Sequence, residues 1–315
     1  MQPGRSCPPS YRHAPGALAP APELVAGTLY VIGGLYGNRR ALDWIEARIA
    51  RESGNVTLVF NGDFHWFDVD RSIFRAVNER VTRHTALRGN VETEIAGDDT
   101  DTGCGCGYPD FVSDAEVGRS NRIIERLRET ARAFPDMRAR LGALPARIVA
   151  KVSGVRIGVV HGDAESLAGW GFSQEMLREP ARRETAVAWF GAADVRVFAS
   201  THSCLPVMQA FDTPHGRCLL ANNGAAGMPN FSATRHGLIT RISETAAPDA
   251  LFGATIEGVR VETLPVLYDH AGFERDFLSS WPAGSPAHAS YYRRIVDGPS
   301  YRLDDAVRLK VPATA

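Results

Sequence analysis

Lysine is almost missing from this chain. Of its 35 basic residues only Lys151 and Lys310 are lysine, and the rest are arginine. We read that bias as genomic composition and not as a phosphate-binding surface. Net charge is missing too: 36 acidic side chains against 35 basic ones leave a formal charge of -1. Without a basic excess nothing argues for a nucleic-acid polymer or an acidic membrane as partner. No apolar run approaches the ~20 residues that span a bilayer, and Met1 to Pro22 lacks the continuous apolar core of a secretion signal. Five cysteines in 315 residues supply no disulfide framework, so a cytoplasmic setting is expected.

What is present is a soluble, globular composition, with 44% hydrophobic and 23% charged residues. Short apolar runs end repeatedly in small and polar residues. Leu29 to Ile32 leads into Gly33-Gly34-Leu35-Tyr36-Gly37-Asn38, and Leu58 to Phe60 into Gly62-Asp63. Ala86-Leu87 precedes Gly89-Asn90-Val91-Glu92, Ile157 to Val160 precedes His161-Gly162-Asp163, and Val195 to Phe198 precedes Thr201-His202-Ser203-Cys204. Strand ends that present Asp, Asn and His are where an α/β protein assembles a divalent-metal site, because rigid strands hold O and N ligands within mutual reach.

Between these runs, Ala41, Leu42, Ile45 and Ile49 recur at helical spacing, as do Ile123, Ile124, Leu127, Ala131 and Phe134. Ser173 to Phe190 reads as a third helix capped by Ser173. Hairpins are expected for Arg147–Val152 with Val155–Val160, for Pro206–Phe211 with Arg217–Ala221, and for Ala254–Ile256 with Val259–Val266. Residues 1–26, rich in Pro, Ala and Gly, read as a disordered tail. Residues 27–285 read as one domain and 286–315 as a C-terminal extension.

In order and spacing the five motifs resemble those of the calcineurin-like metallophosphoesterases, D-x-H-G-N, G-D, G-N-H-E/D, H-G and G-H-T-H. The resemblance covers roughly residues 28 to 270. Asn222-Asn223-Gly224-Ala225-Ala226-Gly227 stands where that family writes N-P-G-S-x-G. It implies an α/β fold, a four-layer α/β/β/α sandwich with two mixed β-sheets. It also implies a phosphoesterase acting through a metal-bound hydroxide on a small phosphorylated metabolite or nucleotide. The metal ligands it implies are Asp63, Asn90, His161 and His202, around one divalent ion (Mn, Zn, Fe or Mg).

The other ligand set of the family's two-metal centre falls on Gly34, Tyr36 and Cys204, none of which matches. A register shifted by two would put Ser200 and His202 at the paired His positions instead. The family's proton donor falls on Val91, which cannot transfer a proton. The same correspondence makes Asn90 a catalytic candidate as well as a ligand, and His65, close behind Asp63, is a candidate stand-in for the lost acid. Asp98 to Asp110 alternates glycines that let backbone N–H groups approach an anion. Residues 98–112 are therefore expected to form a lid, with Gly89, Gly103 and Gly105 as candidate phosphate contacts. Cys104 and Cys106, with Cys204, form a weaker alternative metal set, since Cys-x-Cys is a poor zinc signature. The losses leave a second reading open, a catalytically weak protein that binds a phosphate-containing ligand or a protein partner.

Overall fold

The computed structural model describes residues 2–20 and 22–310. Strands β1 (Leu24–Ala26), β2 (Thr28–Ile32), β3 (Val56–Asn61), β4 (Thr85–Leu87), β5 (Arg147–Val152), β6 (Val155–Val160) and β7 (Val197–Ser200) come first. The later strands are β8 (Val207–Thr213), β9 (Gly216–Asn222), β10 (Gly237–Ser243), β11 (Phe252–Ile256), β12 (Val259–Val266) and β13 (Val307–Arg308). They form a six-stranded sheet, β11-β12-β10-β2-β3-β4, and a seven-stranded sheet, β1-β5-β6-β7-β9-β8-β13. Both mix parallel and antiparallel pairs: β2 runs parallel to β3 and antiparallel to β10, and β6 runs parallel to β7 and antiparallel to β5.

Side-chain alternation builds the layers. In β2, Leu29 and Val31 face the second sheet and pack with Ile148, Ile157, Val197 and Leu219, while Tyr30 and Ile32 face helices on the other side. Those helices are α1 (Arg39–Ile49), α2 (Arg71–Val81), α3 (Asn90–Ala96), α4 (Asp114–Arg132) and α5 (Pro135–Ala143). α6 (Pro180–Ala193) covers the outer face of the second sheet through Ala186, Trp189 and Phe190 against Phe198 and Phe211. α7 (His270–Ser280), α8 (Pro286–Asp297) and the short α9 (Leu303–Ala306) complete the chain. This is the expected four-layer sandwich.

The three expected hairpins form, the first with the expected bounds and the other two with bounds shifted by one or two residues. Three other expectations are corrected, and one strand is added. Helix α6 begins at Pro180 and not at Ser173, because the residue before proline is driven to extended backbone, and Glu179 takes φ -78 and ψ 128. Ser173 caps only a short turn, accepting from Met176 N at 3.1 Å. The described part of residues 1–26 is packed and not disordered: Tyr11 and Leu18 are buried, and Gly4 N donates to Thr102 O at 2.8 Å. Residues 286–310 are part of the domain, since α8 packs on α4 and β13 pairs with β8. Strand β10 was missed, because all seven of its residues are buried and it shows no alternation to read. No helix among the described residues is long and apolar enough to cross a membrane.

Candidate metal centre

Four strand ends converge where β3, β4, β6 and β7 finish. Asp63 follows β3 in a left-handed turn, Gly62 at φ 77 and Asp63 at φ 51. A Cβ on Gly62 would lie 2.5 Å from Gly89 N and 2.6 Å from His161 Nδ1, so only glycine lets the three motifs meet. Asn90 opens α3, His161 follows β6 and His202 follows β7. Thr201 N and His202 N both donate to His161 O, at 3.1 and 3.0 Å, which locks the two histidine motifs together. Ser200 donates its hydroxyl to Gly162 O at 2.6 Å, whereas the His202 ring turns to His161.

The donor atoms gather around His161 Nε2. Asp63 Oδ1 lies 3.3 Å from it, Asn90 Oδ1 3.2 Å and His202 Nδ1 3.2 Å. The outer contacts decide which of these atoms carry protons. His161 Nδ1 sits 2.8 Å from Asn61 O, and a carbonyl only accepts, so Nδ1 bears the hydrogen and a neutral ring leaves Nε2 bare. His202 Nε2 donates in the same way to Cys106 O at 2.9 Å, which bares Nδ1. Asn90 Nδ2 donates to Cys104 O at 3.0 Å and turns Oδ1 inward.

Four lone pairs therefore face one buried point. Ligands at bonds of about 2.0–2.1 Å around one ion lie roughly 3.0–3.4 Å apart. The residues fit a divalent cation. Burial depresses His161, but the charge and hydrogen bond of Asp63 outweigh it and raise its pKa. Burial and then the His161 charge push His202 down to about 4. Burial pushes the Asp63 carboxyl up, yet His161 and His202 hold it below its ordinary value.

Glu92 is the site residue that the sequence reading quoted in its motif without assigning it a role. Fully buried, its carboxylate accepts from Asp63 N (2.7 Å), Phe64 N (3.0 Å), His65 N (3.3 Å) and Gly89 N (2.8 Å). It clamps the Asp63 turn to the start of α3. A carboxylate three residues after a small helix-capping residue was the available signal.

The second ligand set is filled by other atoms. Tyr36 OH meets Cys204 Sγ at 2.9 Å, and a Cβ on Gly34 would lie 3.0 Å from the Tyr36 ring. Burial, then the neighbouring Cys204, keeps the Tyr36 phenol neutral, and burial keeps the Cys204 thiol protonated. His65 is corrected: it is fully buried, bonded to Asp68 at 2.6 Å and stacked on Phe74 at 4.1 Å, and it does not line the cavity at the centre. The expected lid is also corrected. Residues 98–112 are irregular and lie beside the centre, but Thr102 to Cys106 are buried and supply the carbonyls that orient Asn90 and His202. Cys104 pairs with Cys106. The open sides of Gly103 and Gly105 point at Asn121 and at Tyr11 with Glu94, away from the metal centre, whereas Gly89 abuts Asp63.

Beside the four ligands lies a cavity of about 30 Å³, lined by Tyr36, Trp66, Val91, Tyr108, Trp170 and Tyr291 among others. It has room for one or two waters. Its walls are chiefly aromatic, and Val91 is the aliphatic side chain among them.

No protein-family profile matches the chain, and no curated protein matches it. Solved structures do. A hypothetical protein from Pyrococcus horikoshii OT3 superposes with a TM-score of 0.56 at 16% identity, over 88% of this chain and 100% of that one. A metallophosphoesterase from Sphaerobacter thermophilus superposes with a TM-score of 0.50 at 18% identity, over 87% of this chain and 100% of that one. With two mixed sheets, outer helices and the ligand-bearing turns at the strand ends, this chain has the calcineurin-like metallophosphoesterase fold.

Proposed function

We propose that the chain is a phosphoester hydrolase that works with one divalent ion, held by Asp63, Asn90, His161 and His202, on a small phosphorylated substrate. The observation that carries this reading is the set of four inward atoms: a backbone carbonyl behind His161, His202 and Asn90 aims three of them, and Asp63 Oδ1 accepts from Val91 N. A divalent ion in that position supplies Lewis-acid polarisation of a phosphoryl oxygen and lowers the pKa of a water. The chain's own residues do the rest. Asp63 and His161 fix the charge balance, while the Cys104 and Cys106 carbonyls keep Asn90 and His202 pointed inward.

Tyr36, Trp66, Tyr108, Trp170 and Tyr291 make the neighbouring wall chiefly aromatic. Val91 offers a leaving group no proton, so one of low pKa is favoured, and the loss of a positioned acid costs ~10²–10⁴ in rate. The experiment is metal analysis of purified protein followed by hydrolysis of an aryl phosphomonoester and an aryl phosphodiester with added Mn²⁺. Hydrolysis that disappears in Asp63→Asn supports the reading. The narrow cavity and Val91 favour a second reading, a metal-binding protein without turnover. Stoichiometric metal with no hydrolysis of either ester would establish that reading.

A further inference from the structure

A second cavity, of about 210 Å³, is lined by Ser10, Arg12, His13, Arg88 and Arg147, with Tyr11, Thr93, Ala146 and Leu167. It shares no lining residue with the cavity at the metal centre. The N-terminal segment, the turn before α3 and the start of β5 bring these groups together.

Several arginines elsewhere are neutralised: Arg39 pairs with Asp276, Arg48 with Asp249, Arg128 with Glu94 and Arg241 with Glu52. Among the described residues Arg12, Arg88 and Arg147 form no ion pair, and no carboxylate lines the cavity. Arg88 Nη1 donates to Gly142 O at 2.8 Å, but its Nε is buried without a partner, and so is His13 Nε2. The acidic neighbour is Glu165, outside the lining, whose backbone carbonyl accepts from His13 N at 2.9 Å. Arg88 and Arg147 are half-buried and Arg12 is exposed; cationic side chains gathered at one cavity without a counter-charge are costly, and an anion bound there offsets the cost.

We propose that this cavity is a separate binding site for a small phosphoryl oxyanion. A water takes ~10–15 Å³ of such space, so 210 Å³ holds an anion of several heavy atoms. Guanidiniums grip phosphoryl oxygens in pairs, and three of them favour a multiply charged anion such as pyrophosphate over monovalent anions.

The test is calorimetric titration of inorganic phosphate and pyrophosphate into metal-stripped full-length protein. It uses the native chain, Asp63→Asn, the exposed single variant Arg12→Gln, and the double variant Arg12→Gln/Arg147→Gln. Saturable binding is expected, tighter for pyrophosphate, equal in Asp63→Asn, and weakened about tenfold or more in the double variant. Binding lost in Asp63→Asn, or undiminished in the arginine variants, would overturn the proposal, as would no saturable binding at all. Arg12→Gln alone, a substitution on an exposed side chain, is expected to weaken binding even if the double variant fails to fold. Metal content, measured separately on the same variants, keeps this result distinct from the fate of the hydrolase reading.

Discussion

The hydroxyl of Tyr36 and the sulfur of Cys204 lie 2.9 Å apart, and both line the cavity beside Asp63 and Asn90. Packing closes this corner as well. The Tyr36 ring fills the space into which a side chain at Gly34 would project, and Gly34 itself sits at φ 66. Gly34→Asp alone is therefore expected to destabilise by ~1–3 kcal/mol, from strain and overpacking. The triple change Gly34→Asp, Tyr36→His and Cys204→His is expected to bind one more equivalent of divalent ion. Chemical denaturation and elemental analysis read the two outcomes.

Histidine substitutions separate ligand from bystander. His161→Ala removes the atom around which the other three ligands gather, and metal occupancy is expected to fall at least 10-fold. His215→Ala, in the turn between β8 and β9, is expected to leave occupancy unchanged. Equal losses in both would contradict the assigned site.

Glu92→Gln keeps the shape and removes the charge that receives four backbone N–H groups. Such a buried, charge-assisted cluster is worth a few kcal/mol, so about 2–3 kcal/mol of stability should be lost. Metal affinity is expected to drop ~10–100-fold because the Asp63 turn loosens. Unfolding curves and metal titration of the variant would measure both effects.

Val91 lines the cavity beside the ligands, and its methyls can neither donate nor accept a proton. The native chain is expected to favour aryl over alkyl phosphoesters. Val91→His is expected to narrow that ratio by ~10²-fold or more, chiefly by raising the alkyl rate. Steady-state rates on an aryl and an alkyl ester of the same phosphate decide it. A native chain that cleaves both equally well would show that another acid serves.

Acid stability should depend on Glu52. Its hydrogen bond from Arg241, assisted by Tyr30, holds its carboxyl down at about 2 in the folded chain against an ordinary 4.5. A depressed carboxyl stabilises above its unfolded pKa and loses that contribution as pH falls through the folded one. The loss attributable to Glu52 therefore runs between about pH 4.5 and 2. Glu52→Gln should lower stability at neutral pH by ~1–3 kcal/mol and flatten the profile in that window, as thermal melts across pH would register.

The convergence of the candidate ligands is legible because each follows a short apolar run that must be a strand, and strand ends in a sandwich have few places to point. Asp63, Asn90, His161 and His202 needed no knowledge of the loops between them. His65 was misread for a physical reason: nothing local shows that Asp68 and Asn78 will satisfy its ring and that Phe74 will cover it. The glycine-rich stretch at 103–107 looked solvated because its composition is polar and small. Its burial comes from Tyr11, Asn121 and Trp170, which lie far away in sequence. Strand β10 is buried throughout, so the alternation that exposes a half-buried strand was not there to see.

The two shortest strands of the seven-stranded sheet sit at its opposite rims. β1 offers three residues to β5 on one side, and β13 offers two to β8 on the other. Short margins of this kind keep a sheet from recruiting further strands. Proteolysis or truncation that strips either margin would uncover Ala150, Lys151 and Val152 of β5 or Met208 and Gln209 of β8, leaving their backbone donors and acceptors unpaired. A trimmed preparation should therefore self-associate edge to edge, although its metal ligands lie elsewhere in the fold. Light scattering of a chain shortened past Ala26 would reveal that tendency.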